Sequence, residues 1–155
     1  MIAVLQRVSK ASVKVGEELI SFIGKGYLIL LGVKKGDTKT DADFLVGKCA
    51  GLRVMEDPSG KMNLSLDDVN GSVIVVSQFT LYGDAQKGNR PSFTDSAPGA
   101  EAEPLYEYFV EGMKGRLGHD RVGTGRFGAM MNIELVNEGP VTIVIRSENQ
   151  GGLGS

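Results

Sequence analysis

Short runs of branched and aliphatic residues open and close the chain, and two longer stretches between them repeat apolar positions at three- and four-residue steps. Ile2–Val8 is rich in branched residues, and Ala11–Val15 places Val13 and Val15 two apart, the period of a strand. Leu19–Ile23 and Tyr27–Val33 continue this strand meander, separated by Gly24-Lys25-Gly26 as a turn. Ala42, Leu45, Val46, Cys49 and Leu52 then fall on one face of an amphipathic helix. Thr38 or Thr40 suits its N-cap, and Asp41 and Asp43 suit the positive end of its dipole. Asp57-Pro58-Ser59-Gly60 predicts a turn, and Val73–Ser77 a buried strand.

Gly83–Gly99, rich in glycine, proline and polar residues, predicts a long loop of the kind that tends to carry function. A second helix is expected over Ala102–Leu117, with Leu105, Tyr106, Phe109, Val110, Met113 and Leu117 on its apolar face. Pro104 fits a first turn, which sets the helix start near Glu101–Glu103. Met131, Ile133 and Leu135 alternate with Asn132 and Glu134 as a strand, followed by a Gly-Pro turn and a last strand, Val141–Ile145. Many strands with two inserted helices predict an α+β fold. It is a strand-rich single domain over 1–147, an antiparallel, mixed or barrel-like sheet covered by the helices. Residues 148–155, ending Gly151-Gly152-Leu153-Gly154-Ser155, read as a disordered tail.

Composition narrows the class. A chain of 155 residues with 41% apolar and 23% charged residues can bury a core without staples. No apolar run reaches the ~20 residues of a membrane helix, and Arg7 interrupts the N-terminal run too early for a signal peptide. One cysteine, Cys49, excludes an internal disulfide framework and fits a reducing cytosol. With a single histidine beside it, no soft-ligand metal site is expected and no cofactor is implied. The net charge of −2 makes no global case for nucleic acid. Lys34-Lys35, Lys87 with Arg90, and Lys114 with Arg116 read either as a local basic face or as scattered solvated charges.

Two segments carry most of the chemistry. Ser77-Gln78-Phe79-Thr80-Leu81 ends a buried strand in small polar residues, and Asn137-Glu138-Gly139-Pro140-Val141-Thr142 sets Gly-Pro between two strands. On residues alone the first is either a polar strand end satisfying its own backbone or a set of oxyanion donors: the amides around Phe79 and Thr80 with the Gln78 side chain. Thr80 as a nucleophile would need an activating base. His119, the only imidazole, lies in a polar turn, Gly118–Arg121, and reads as exposed. The second segment is either ordinary turn punctuation or a place where bare carbonyls face a ligand. Gly123-Thr124-Gly125-Arg126-Phe127-Gly128 matches G-x-G-x-x-G, but a strand follows where a dinucleotide fingerprint needs a helix. Cys49, on the apolar helix face, reads as core.

Taken together the two segments resemble the signature pair S-Q-F-T-L and N-x-G-P-x-T of the D-aminoacyl-tRNA deacylases, the D-tyrosyl-tRNA(Tyr) deacylase family. The likeness extends through Ala3–Ser9, Gly60–Ser65, Arg90–Asp95, Glu103–Glu107 and Thr124–Gly128. The resemblance implies a cytoplasmic homodimer that hydrolyses the ester of D-aminoacyl-tRNA, and of glycine mischarged on tRNA-Ala, while sparing L-aminoacyl-tRNA. It implies that Gln78, Phe79 and Thr80 form the catalytic centre and that Ser77, Phe127, Gly128 and Met131 hold the substrate. Gly139 and Pro140, with a cis bond, would form a carbonyl filter reaching into the partner's site, supported by Arg7 and Asn137. A non-catalytic module binding tRNA 3′ ends, and a small-ester hydrolase using Thr80 and His119, are the competing readings.

Overall fold

The computed structural model describes residues 1–147; the tail expected at 148–155 lies outside the described residues. Its spine is β1, Ile2–Val15, which pairs antiparallel with β2 (Glu18–Ile23) along its second half and β3 (Gly26–Gly32) along its first. The sequence pattern predicted two strands here. Ser9 and Lys10 are exposed but stay extended, so the chain never leaves the sheet. An irregular register around them shifts the pleat instead. Ala3 and Leu5 therefore face the helices, whereas Val8, Ala11 and Val13 face the opposite core.

β3 runs parallel to β6 (Ser72–Ser77), and β6 parallel to β7 (Val122–Thr124), giving the order β2-β1-β3-β6-β7 with β8 (Asn132–Arg146) on the other edge of β1. The end strands meet. Ser21 Oγ on β2 donates to the Thr124 carbonyl and accepts the Thr124 N–H at 3.0 Å, curling the sheet into a near-barrel. A separate hairpin, β4 (Met55–Glu56) with β5 (Met62–Leu64), forms around the predicted Asp57–Gly60 turn. Neither it nor β7 is predicted from periodicity, because strands of two or three residues carry no period.

Two apolar layers result. Tyr27, Ile29, Leu31, Val73 and Val75 face α1 (Lys39–Gly51) and α2 (Gly99–Leu117), while Leu28, Ile74 and Val76 fill the barrel interior. Burial on both faces explains why β3 and β6 read as unbroken apolar runs. Thr38 is the N-cap of α1, its N–H bonded to the Asp41 carboxylate at 2.8 Å. The helices cross where Gly112 of α2 meets Val46 of α1; a Cβ at 112 would lie 2.9 Å from Val46 Cγ2.

α2 begins ahead of the predicted Glu101–Glu103. The Pro98 carbonyl accepts the N–H groups of both Glu101 and Ala102 at 2.9 Å, which starts the helix at Gly99. Pro104 thus lies beyond the first turn, inside the helix. Its missing N–H leaves the Ala100 carbonyl without a helical donor at an exposed end, where solvent serves.

The last third also differs from expectation. Strand, turn and strand are one element, β8, with a wide bulge. Gln6 pairs with Thr142 and Val8 with Asn137, so Glu138–Val141 stand opposite Arg7 alone. The Gly-Pro pair is carried on a bulge inside a strand, anchored at both ends by the β1 ladder.

Candidate active site

A cavity of about 790 Å³ opens at the C-terminal end of β6. Ser77, Gln78, Phe79 and Thr80 form one wall, and Phe127, Gly128 and Met131 help form the facing one. These residues come from separate parts of the sequence and are brought together by the parallel β6–β7 pair, since both walls leave the sheet at the same end. Tyr106 on α2 packs its ring 5.8 Å from that of Phe127 and donates its hydroxyl to the Val75 carbonyl at 2.7 Å. The Gly125 N–H bonds the same carbonyl at 3.2 Å, so β6, α2 and the loop after β7 are tied at one point.

Past Ser77 the chain tightens into a single 3₁₀ turn, Phe79–Tyr82. The Gln78 N–H is used on Leu31 O at 2.8 Å, and the Leu81 N–H on Gln78 O at 3.3 Å. The N–H groups of Phe79 and Thr80, at the start of the turn, bond no carbonyl among the described residues. Ser96 Oγ holds the Phe79 carbonyl at 2.8 Å, and the Phe93 ring meets that of Phe79 edge-on at 5.2 Å. The Gln78 side-chain amide donates to Thr80 Oγ1. The wall here is therefore a pinned turn that carries two backbone donors bonded to no carbonyl.

No lining residue is an acid, a histidine, a cysteine, a lysine or an arginine. Tyr106 alone among them titrates, and burial raises its phenol to about 12. His119 is exposed in a 3₁₀ turn after α2 and lines no part of the cavity. Cys49 is fully buried in the helix-side core, its thiol pushed up to about 12 by burial. Among the described residues no group of three histidines, cysteines or carboxylates could hold a metal ion. The G-x-G-x-x-G segment supplies cavity wall at Phe127 and Gly128, with a strand after it.

The Gly-Pro bulge is built separately, and within one chain it does not line the cavity. The Gly139–Pro140 bond is cis, and Gly139 holds φ +133°, a conformation L side chains rarely adopt. Both residues are exposed. Arg7, only 4% exposed, reaches out from β1 beneath them. Its Nε donates to Glu138 O at 3.0 Å and a terminal nitrogen donates to Val54 O at 2.8 Å; the other lies 3.7 Å from the Glu56 carboxylate. Asn137 spans the bulge, accepting the Val141 N–H at 3.1 Å and donating to Thr142 Oγ1 at 3.3 Å. Arg7 and Asn137 thus replace the ladder bonds that the bulge gives up.

The model for the D-Tyr-tRNA(Tyr) deacylase family matches residues 4–146. The chain belongs to this family. Similar proteins include the D-aminoacyl-tRNA deacylase of Symbiobacterium thermophilum, 54% identical over 94% of this chain and 95% of that one. The D-aminoacyl-tRNA deacylase of Thermosipho melanesiensis is 51% identical over 96% and 98%. Among solved structures, one titled c-Myc DNA Unwinding Element Binding Protein superposes with a TM-score of 0.89 at 42% identity, covering 94% of this chain and 98% of its own. A probable eukaryotic D-amino acid tRNA deacylase shares the fold with a TM-score of 0.81 at 18% identity, covering 93% and 97%.

The residue reading missed Tyr106, Phe93 and Ser96 as site residues. Tyr106 stood in the sequence as one position of a helical stripe, and nothing in periodicity separates a ring that packs core from one that also walls a cavity.

Proposed function

We propose that this chain, as a D-aminoacyl-tRNA deacylase, releases D-amino acids from tRNA in the cytoplasm by water attack on the ester at the terminal ribose, without a side-chain base. The observation that carries this reading is a cavity whose wall offers free N–H groups at Phe79 and Thr80 and no ionisable group but a phenol near 12. Those donors stabilise the oxyanion as the carbonyl becomes tetrahedral. The ribose 2′-hydroxyl of the substrate relays one proton from the attacking water to the departing 3′-oxygen; the amino acid leaves as its carboxylate, and the water's second proton passes to solvent. Phe127, Gly128 and Met131, opposite Ser77, hold the adenosine, and Gln78 keeps the Thr80 hydroxyl in place.

Selection between enantiomers is assigned to the carbonyls of Gly139 and Pro140, supplied by a second copy of the chain. The support is twofold: the bulge is exposed and braced by a buried guanidinium, and within one chain it lies outside the cavity it would guard. A rigid carbonyl wall rejects by collision with a Cβ on the wrong side and needs no fit to the correct one. A pocket choosing by apolar fit would gain only ~10–200-fold per methylene. Such a wall admits any D side chain, and glycine as well, so glycyl-tRNA on tRNA-Ala is a second substrate of the same device.

The test compares release of D- and L-tyrosine from tRNA by the purified chain, with and without a chelator. Rapid turnover of the D ester alone is expected; protection of that ester would instead support the non-catalytic binding module. Gly139→Ala, whose Cβ would stand 2.8 Å from Val141 Cγ2 and 3.1 Å from the Arg7 guanidinium, should make L-tyrosyl-tRNA a substrate. Undiminished discrimination in that variant ends the carbonyl-wall account.

A further inference from the structure

The cavity has two rims of opposite charge. On one side the segment after Phe93 ties two cationic pieces of backbone together. Ser96 bridges Lys34, and the Lys35 N–H bonds Asp95 O at 3.0 Å, which fixes Lys34-Lys35 to the cavity edge. Just before Phe93, Asp84 and Ser92 exchange two backbone bonds at 2.7 and 2.8 Å, closing a small hairpin whose tip carries Lys87 and Arg90. Lys35, Lys87 and Arg90 are exposed, and no carboxylate pairs with any of them among the described residues. Asp84 and Asp95 share this rim, Asp84 with one carboxylate oxygen accepting the Gln86 N–H.

On the other side, behind the wall formed by Tyr106 and Phe127, runs a shallow groove. Glu103, Glu107 and Glu111 line it from successive turns of α2. The cations there are engaged or flanked by acid: Arg126 pairs with Glu18 at 3.2 Å and Lys114 with Glu111 at 3.5 Å. A polyanion whose 3′ end enters the cavity meets attraction along one rim and repulsion along the other.

Resting on the deacylase reading, we infer that the acceptor stem of tRNA leaves the cavity over the rim formed by Lys34, Lys35, Lys87 and Arg90, away from α2. These side chains contact phosphates, which position the stem without reading its sequence. The rim acts on the nucleotides behind the terminal adenosine, and the ester itself never touches it.

The experiment uses the full chain and two substrates: D-tyrosyl-tRNA, and D-tyrosyl ester on adenosine alone. Lys35→Gln/Lys87→Gln/Arg90→Gln should lower kcat/KM on the tRNA about tenfold or more, through KM. It should also flatten the slope of log(kcat/KM) against log[salt] by about 2 to 3. On the adenosine ester the variant should stay within about twofold of the wild type, with an unchanged melting curve. Glu103→Gln/Glu107→Gln/Glu111→Gln should leave the tRNA value within about twofold. An equal loss on both substrates overturns the inference, since the rim would then be shaping the cavity. An unchanged tRNA value in the lysine and arginine variant, or a large gain in the glutamate variant, overturns it as well. Wild-type chain inert toward both esters would remove the deacylase reading itself, a result seen before any variant is made.

Discussion

Thr80 lies where a nucleophile would stand, yet its surroundings do not make it one. Its hydroxyl accepts from the Gln78 amide, and no group near it can take a proton at neutral pH. Thr80→Ala keeps the backbone donors and should retain a single-turnover rate well short of a ~10³ loss, with the fold intact. A larger fall, or a trapped acyl-enzyme, would assign the chemistry to the hydroxyl. Ser77–Thr80 and Gly139-Pro140 stood out in the sequence because polar or conformationally special residues interrupt apolar runs there. Arg7 was legible only as a support through resemblance; its burial and its reach to both Val54 and Glu138 belong to the folded chain. Nothing local marked Ser96, whose part is to hold a carbonyl seventeen positions away.

Elements whose period runs through several turns were readable, and α1 falls where its apolar stripe places it. Boundaries set by longer-range partners were not. β1 and β8 are each continuous because they brace one another across the spine, which no local pattern at Ser9-Lys10 or Gly139-Pro140 announces. The α1–α2 crossing gives a test at this scale. Gly112→Ala would favour helix by about 1 kcal/mol in isolation, but its Cβ would meet the stiff Val46 side chain at 2.9 Å. The expected result in urea denaturation is net destabilisation of about 1 kcal/mol. Adding Val46→Ala should make the alanine at 112 favourable relative to glycine, a positive coupling in the double-mutant cycle. Additive effects would mean that the helices do not touch there.

For the molecule as a whole, the buried acids govern behaviour at high pH. Burial raises Cys49 from an ordinary 9.0, and Tyr27 and Tyr106 from 10.0, each to about 12. The unfolded chain sheds these protons first, so the stabilisation is complete below pH 9 and is lost as pH climbs toward 12. Each group contributes at most about 1.4 kcal/mol per pH unit over its own window. Cys49→Ala should be less stable at pH 7 by about 1 kcal/mol yet decline more gently between pH 9 and 10, before the phenols join. Parallel curves for the two proteins would show that the thiol is not the group responsible. A mixed or barrel-like sheet under two helices was open to the sequence; which strands meet to curl it was not, because Ser21 and Thr124 lie 103 positions apart. Ser21 is the buckle of this hoop, and the residue it grips, Thr124, is the last before the loop that carries Phe127 and Met131. Slack at the buckle, with the Arg126–Glu18 ion pair as the other tie beside it, is therefore felt first at the loop that carries the far wall of the cavity.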